Sequence, residues 1–446
     1  MILAAPSFVM RGDVLSWGRV HRRPQRIAAP RFCDHLAALI NDGASSNRLA
    51  IGLRRSYGDS CLNSDGAMID MTGLDRFIAF DEASGTLRAE AGASLSQILA
   101  LTVPRGWFLS TTPGTRFVTL GGAVANDVHG KNHHRAGSFG CHVKSLGLLR
   151  SDGFRRAVTW ESDPGLLAAT IGGLGLPGVI EWVEIQLDKI SSAYLDVETI
   201  PYVGLDEFWA LSRESAEKFE HTVSWIDCGA CGANFGRGIF SRANWRDDQA
   251  FKSHDDRMWK SVPFDAPALL LNRFSVATFN ELYFRANKTK AGPSRQPYAS
   301  FFYPLDALLN WNKLYGKCGM FQYQCVIPPG EACAAIASLL DEITRSGQAS
   351  FLAVLKTFGG RASLGLLSFP RLGATLALDF PNRGAETLRL LSRLDAIVSE
   401  AGGALYPAKD GRLPPDLFRR SFPRWQEFLE YKDPSVNSDF WRRVAE

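Results

Sequence analysis

The stretch Pro113-Gly-Thr-Arg-Phe-Val-Thr-Leu-Gly-Gly122, running on through Ala123-Val-Ala-Asn-Asp-Val-His-Gly-Lys-Asn-His-His134, decides how the rest of the chain is read. Thr119 is a good N-cap, and Gly121-Gly122 stands where a helix would begin. A helix that opens on glycines leaves backbone N–H groups unpaired and unshielded. Such an end attracts an anion through its orphan donors and its dipole. Gly114, Gly121, Gly122 and Gly130 also permit positive φ and close approach of a ligand to the backbone. The segment is expected to cradle a phosphate-bearing ligand; the plainer alternative is a glycine-rich surface loop with a histidine-rich turn.

A second stretch, Ala50-Ile-Gly-Leu-Arg-Arg-Ser-Tyr-Gly-Asp-Ser60, follows a short apolar run. Gly52, Ser56, Gly58 and Ser60 suit a tight turn that offers several amides to one phosphate. Together, Gly121–Gly140 and Arg55–Ser60 resemble the FAD-binding domain of the vanillyl-alcohol oxidase/PCMH superfamily, and within it the branch that oxidises a polyprenylphosphoryl ribose. The resemblance implies an α+β fold of two domains. An FAD-binding domain would span 1–190, completed by 401–446, and a substrate domain 191–400 would carry an antiparallel sheet covered by helices. It implies FAD contacts from Gly52, Leu53, Arg54, Arg55, Ser56, Tyr57, Gly58, Asp59 and Ser60 in the first loop. In the second they come from Gly114, Thr119, Leu120, Gly121, Gly122, Asn126, Asp127, Val128 and His129, with Ile180 near the adenine and Tyr406 against the flavin. Superfamily members with histidyl-linked FAD carry a histidine in the first loop, where this chain has Asp59, so FAD is expected to be non-covalent.

A length of 446 residues allows two or three domains, and 46% hydrophobic with 22% charged residues is the balance of an ordinary globular chain. A net charge of +4 is mild and scattered, which leaves no nucleic-acid stripe. Eight cysteines in so long a chain do not suggest a disulfide framework. Cys228-Gly-Ala-Cys231 lacks a second pair at zinc spacing and reads as two ordinary thiols, so no metal is expected. Met1–Met10 has no basic n-region and is broken by Pro6, which argues against a signal peptide. No apolar run reaches the roughly 18–20 residues of a membrane helix. A cytoplasmic, soluble chain is expected, and peripheral contact at the inner membrane face stays open.

Phe32, Leu36, Leu39 and Ile40 fall at helical spacing ahead of a strand near Leu49–Leu53. Strands follow at Ala67–Met71 and Thr86–Ala91, and Ser94-Leu-Ser-Gln97 resembles a capping box for a helix stopping before Pro104. Ser145–Arg150 and Phe154–Thr159 read as a hairpin, Gly165–Gly172 as helix and Val179–Leu187 as strand. Gly173-Leu-Gly-Leu-Pro-Gly178 matches GxGxxG, but the helix precedes it and the strand follows, so it is read as a turn. Further on, a helix Leu205–Phe219 and a strand Thr222–Asp227 precede a loop-rich region Gly236–Arg295 with few clear elements, suited to a lid. Then come a helix Asp306–Tyr315, strands Met320–Ile327, Phe351–Phe358 and Thr375–Phe380, and helices carrying Ile336, Leu339, Leu340 and Ile343, and Glu386–Glu400.

Oxidation of an alcohol by a flavin needs its C–H over flavin N5, a base for the hydroxyl proton, and donors for the reduced flavin's charge. His129 either handles a proton or hydrogen-bonds cofactor and backbone; both readings stay open. Lys131, His133 and His134 serve phosphate or structure. Period 2 sends Gln322 and Gln324 to one face of a strand, with Tyr323 and Cys325 on the other. Two amides facing one way suit sugar hydroxyls, though a solvent-facing polar strand gives the same pattern. The resemblance places Gln322, Gln324 and Lys356 in the sugar pocket and Lys409, of Tyr406-Pro-Ala-Lys-Asp410, where flavin and substrate meet. It adds Tyr57 and Trp225 as an aromatic wall. The family typically carries Asn-x-Cys where this chain has Thr375-Leu-Ala377, and Tyr-His where it has Phe302-Tyr303. These substitutions remove polar or thiol groups from the pocket without touching the flavin assignment.

The expected function is oxidation of a secondary sugar hydroxyl, at C2 of a polyprenylphosphoryl ribose, by an FAD enzyme that works with a short-chain reductase as an epimerase pair. An oxidase of a soluble alditol or aldonolactone using oxygen is the near alternative. A binding protein that keeps the fold without catalysis is the distant one.

Overall fold

Arg48-Leu-Ala-Ile51 and Ala67-Met-Ile-Asp70 are short apolar runs, and in the computed structural model they lie side by side in parallel. The structure describes residues 6–41, 47–251, 260–267 and 270–446. The first sheet holds β1 (Val9–Arg11), β2 (Gln25–Ala28), β3 (Arg48–Ile51) and β4 (Ala67–Asp70) in the order β1-β2-β4-β3. The loop Gly52–Ser60 leaves directly from the end of β3.

The second sheet is antiparallel. β5 (Phe77–Asp81), β6 (Thr86–Glu90), β7 (Trp107–Leu109), β8 (Val143–Leu149), β9 (Arg155–Thr159) and β10 (Val179–Lys189) run β5-β6-β10-β8-β9, with β7 on the far part of β10. Alternation along β10 sends Val183, Ile185 and Leu187 into the core at 1% exposure or less. The capping box forms as read: Ser94 accepts from Gln97 N, Gln97 from Ser94 N, and the helix Leu95–Thr102 gives way to a 3₁₀ turn through Pro104. The Gly173–Gly178 turn lies between the helix Pro164–Thr170 and β10.

Ten further strands follow: β11 (Tyr194–Tyr202), β12 (His221–Ile226), β13 (Gly238–Trp245), β14 (Lys260–Ser261), β15 (Gly292–Pro297), β16 (Leu308–Leu309), β17 (Met320–Ile327), β18 (Ala353–Phe358), β19 (Gly373–Pro381) and β20 (Ala404–Leu405). β14 and β16 pair with each other. The other eight form one antiparallel sheet, β15-β11-β13-β12-β18-β19-β17-β20. Helices Pro329–Ser346 and Ala385–Glu400 cover one face of it, where Ile336, Leu339, Leu340 and Ile343 meet Tyr323, Cys325 and Leu394 in one core.

Three expectations are corrected. The region Gly236–Arg295 is not loop-rich: it holds β13, a helix Arg273–Lys288 and the start of β15, while residues 252–259 and 268–269 lie outside the described residues. Asp306–Tyr315 is not one helix but two 3₁₀ turns, Pro304–Ala307 and Trp311–Tyr315, separated by Asn310 at φ 55°. Phe32 is exposed and precedes the helix Asp34–Ile40 rather than packing in its face.

The closing segment touches both sides. Ala404–Leu405 joins the edge of the large sheet at β17. Further on, Val436 bridges to Arg48 of β3. Among the described residues no helix is long and apolar enough to cross a membrane.

Candidate active site

The two glycine loops touch. A Cβ on Gly52 would lie 2.1 Å from Thr119 Oγ1, so their contact depends on residue 52 having no side chain. The first loop also abuts the closing motif: a Cβ on Gly58 would sit 1.4 Å from the Asp410 carbonyl oxygen, and Tyr57 N donates to Ala408 O at 2.9 Å. Arg443 grips the Asp59 carboxylate at 2.7 and 2.9 Å and reaches Asp410 at 2.9 Å.

The helix opening at Thr119 is not the bare end its glycines implied. Leu120 N and Gly121 N donate to the Ala93 and Ala91 carbonyls, and Gly122 N to Thr119 Oγ1. None of Gly114, Gly121, Gly122 and Gly130 has positive φ; Gly121 is instead where the chain presses on Ala91, 2.8 Å from an added Cβ. The left-handed residues here are Arg54 at φ 52° and Asp127 at φ 40°, an unfavourable conformation held by surrounding bonds. Asp127 accepts from Gly140 N and Ser368 Oγ. Burial raises its carboxyl above the usual range, against the pull of Ser368. Its side chain braces the loop. Leu120 is wholly buried, and Ile180 packs in the core opposite Leu148 on β8. Leu53 lines a cleft with Gly92, Ser94 and Phe117.

The uncovered face of the large sheet supplies the opposite wall. Register aligns Trp225, Val354, Ala377 and Gln324 in one row, with Lys356 beside Thr375 and Gln322 beside Asp379. Gln322 Nε2 donates to Asp379 Oδ1 at 2.6 Å. His129 reaches this face from the second loop. Lys356 Nζ donates to His129 Nδ1 and to Gly130 O, each at 3.2 Å. The other ring nitrogen, Nε2, meets Gln324 Nε2 at 2.9 Å, and that amide nitrogen also donates to Thr375 Oγ1 at 3.1 Å. Burial and the Lys356 ammonium hold His129 well below its ordinary range, so it is neutral. Burial lowers Lys356 to about 7, and the positive Lys409 adds to the effect. Lys409 Nζ lies 4.2 Å from the Tyr57 ring centre. Burial lowers it to about 8 against the pull of Asp379, which burial in turn raises to about 7. Tyr406 closes the group: its hydroxyl donates to Asn126 O at 2.8 Å and its ring stacks on Phe369.

A family model of the FAD binding domain matches residues 24–158. The decaprenylphosphoryl-beta-D-ribose oxidase of Mycolicibacterium smegmatis is 36% identical over 415 residues, covering 89% of this chain and 88% of that protein. The chain belongs to the FAD-linked oxidoreductases of the vanillyl-alcohol oxidase/PCMH type. Similarity to the L-gulono-1,4-lactone dehydrogenase of Mycobacterium tuberculosis is confined to 165 residues at 30% identity, 36% of this chain and 37% of that one. As a member of this family the protein is an FAD-dependent oxidoreductase acting on CH–OH groups.

The residues of this flavoenzyme fit the cofactor. Ser60 Oγ is buried without a partner, and the amides of Ser56, Gly58 and Asp59 find no backbone acceptor among the described residues. These donors, not the helix end, would hold the diphosphate. Asp59, which stands where a linking histidine would be, is fully engaged by Arg443.

Not every expected pocket residue faces the site. Phe302 is buried among Phe108, His221 and Trp245 and lines no sugar pocket. Its neighbour Tyr303 bonds Thr112 Oγ1 at 2.6 Å. Lys131 turns its ammonium onto the Phe301 carbonyl and ring, and burial lowers it to about 7. Trp225 is half-buried, donating from Nε1 to Phe351 O at 3.0 Å. Asp379 was missed altogether, although period 2 from Thr375 and Ala377 leads straight to it. Its Oδ2 is buried without a partner.

Proposed function

We propose that this flavoenzyme oxidises the C2 hydroxyl of a polyprenylphosphoryl ribose to a keto sugar, and that a short-chain reductase completes an epimerisation. The observation that carries the reading is the sheet face itself, where Lys356 and Lys409 stand, beside amides that suit sugar hydroxyls, in an environment that lowers both ammonium groups. A phosphodiester brought there would offset the cost of burying positive charge. In the same reading, 1–190 with 401–446 hold FAD and 191–400 hold the sugar.

FAD, when bound, supplies the hydride acceptor at flavin N5. The chain supplies the rest. Lys409 in its neutral form takes the hydroxyl proton: a pKa of about 8 keeps it basic enough to accept and low enough to be partly free near neutrality. Burial sets that value, and Asp379 opposes the shift and stabilises the ammonium once it forms. His129, with both ring nitrogens engaged, positions Lys356 and Gln324 rather than acting as base. Gln322 and Gln324 orient the ribose hydroxyls, and Lys356 answers the phosphate or developing alkoxide.

The test is anaerobic titration of the yellow protein with a ribosyl phosphoryl polyprenol. The flavin absorbance bleaches with the lipid sugar and not with free alditols or aldonolactones; bleaching by the soluble compounds alone overturns the substrate assignment.

A further inference from the structure

Exposed large apolar side chains concentrate in one place. On the helix Arg273–Lys288, only Val276, Asn280 and Phe284 are buried, one residue per turn, while Phe274 is 81% and Leu282 62% exposed. Leu270, just ahead of it, is 58% exposed. Among the described residues nothing covers this face. Isolated apolar residues on a surface are ordinary, but a contiguous patch marks a contact.

Two further observations identify the contact. The patch is continuous with the candidate site: Tyr283 lies 4.8 Å from Trp225, and Phe279, stacked on Tyr283, meets Phe351 at 5.5 Å. Phe351 stacks on Tyr315, which shares a cluster with Tyr57, the ring beneath Lys409. An aromatic track thus leads from the reacting end of the site to the exposed helix. The charge of this segment is also one-sided: between Arg273 and Lys290 the cations Arg273, Arg285, Lys288 and Lys290 accompany one carboxylate, Glu281, which is held by Arg237 and Arg285. On the exposed face, opposite Val276, Asn280 and Phe284, Phe274 and Leu282 stand among Arg285 and Lys288, and apolar side chains interleaved with cations suit the headgroup layer of an anionic bilayer.

We propose that the helix Arg273–Lys288 docks this protein on an anionic membrane surface, with Phe274 and Leu282 in the acyl boundary and the aromatic track opening onto the lipid. The reason for docking rests on the function proposed above: the sugar of a lipid-linked substrate enters the site while its polyprenyl chain stays in the bilayer. Arg and Lys on the same rim hold the headgroup phosphates.

The test uses the FAD-loaded protein and sedimentable vesicles of phosphatidylcholine with or without phosphatidylglycerol. The protein sediments with the anionic vesicles, less so as salt is raised, and the double variant Phe274→Ser/Leu282→Ser partitions about ten-fold less. Both side chains are exposed, so the variant keeps its flavin spectrum and its bleaching rate with a water-soluble short-chain ribosyl phosphate, while bleaching by the lipid in vesicles slows by a similar factor. Equal sedimentation of variant and parent, or none by either, overturns the proposal. So does a concentration-dependent dimer, abolished in the variant, with no vesicle binding; that result assigns the face to a second copy of the chain. Vesicle binding without bleaching by any ribosyl lipid supports docking and overturns the proposed substrate.

Discussion

Replacing Asp379 by Asn separates the electrostatic part of the site from its shape. The amide is close to isosteric and keeps an oxygen for Gln322 Nε2, which donates to Asp379 Oδ1 at 2.6 Å. What it removes is the negative charge that raises Lys409, a group burial has already lowered to about 8. An opposite charge nearby typically shifts a pKa by about 1–3 units. Burial raises Asp379 itself to about 7, so it is only partly ionised near neutrality and the low end applies. Lys409 then falls from about 8 to ~7 in the variant. At pH 7 its neutral fraction rises from ~10% to ~50%. If neutral Lys409 takes the proton, the rate of anaerobic flavin bleaching climbs with pH through the Lys409 pKa, and the variant's climb comes ~1 unit lower. Stopped-flow absorbance between pH 5.5 and 9.5 reads this directly. The position of the limb is diagnostic, since its height also carries whatever orientation Asp379 gives. A limb that stays put, or moves to higher pH, refutes both the pairing and the assignment of Lys409 as base.

The remaining predictions probe hold and stability. Lys356→Met abolishes activity yet raises the melting temperature at pH 6.5. The folded-state pKa of Lys356 is about 7, against ~10.4 when unfolded. The cost of charging it is therefore complete below pH 7 and fades as pH rises towards 10; a variant that melts lower than the parent at pH 6.5 contradicts this. Gly58→Ala cannot be built without parting the first loop from Asp410, where the new methyl would fall 1.4 Å from a carbonyl oxygen. The purified variant should be colourless, and retention of FAD at parental affinity would dismiss the contact. Arg443→Met leaves the Asp59 and Asp410 carboxylates, 4% and 6% exposed, without their cation. Breaking such a buried pair costs about 3–5 kcal/mol, measurable by urea unfolding; a loss below about 1 kcal/mol would mean that water replaces the guanidinium. Acid precipitation sends the yellow colour into the supernatant, because Asp59 offers no link to the flavin.

Much of this was legible in the sequence because period and punctuation agreed. Met320–Ile327 alternates cleanly between two polar amides and a buried Tyr and Cys, and its ends coincide with those of the strand found. The helix bearing Ile336 to Ile343 shows one apolar stripe. The helix Arg273–Lys288 was illegible for the opposite reason. Its buried stripe has an asparagine at its middle, bonded to Asp227, while its larger apolar residues point outward and blur the period. β13 was hidden by Arg242, a charge that a strand buries only because Glu198 and Glu214 wait on neighbouring elements. The glycine loops announced a cofactor, but which amides stay free depends on the strand-like bonds from Leu120 and Gly121 to Ala91 and Ala93, and no local pattern reveals those. Asp379 needed the register of β17 against β19, which is a tertiary fact.

The short strand Ala404–Leu405 bonds to β17, and a few residues later Asp410 presses against Gly58. Anyone splicing the large sheet of a relative into this enzyme should therefore carry the seam past Asp410 instead of cutting near 400. A junction at the earlier point would hand the donor sheet a foreign edge and leave Lys409 spaced for the wrong partner. The sheet edge and Lys409 are inherited together.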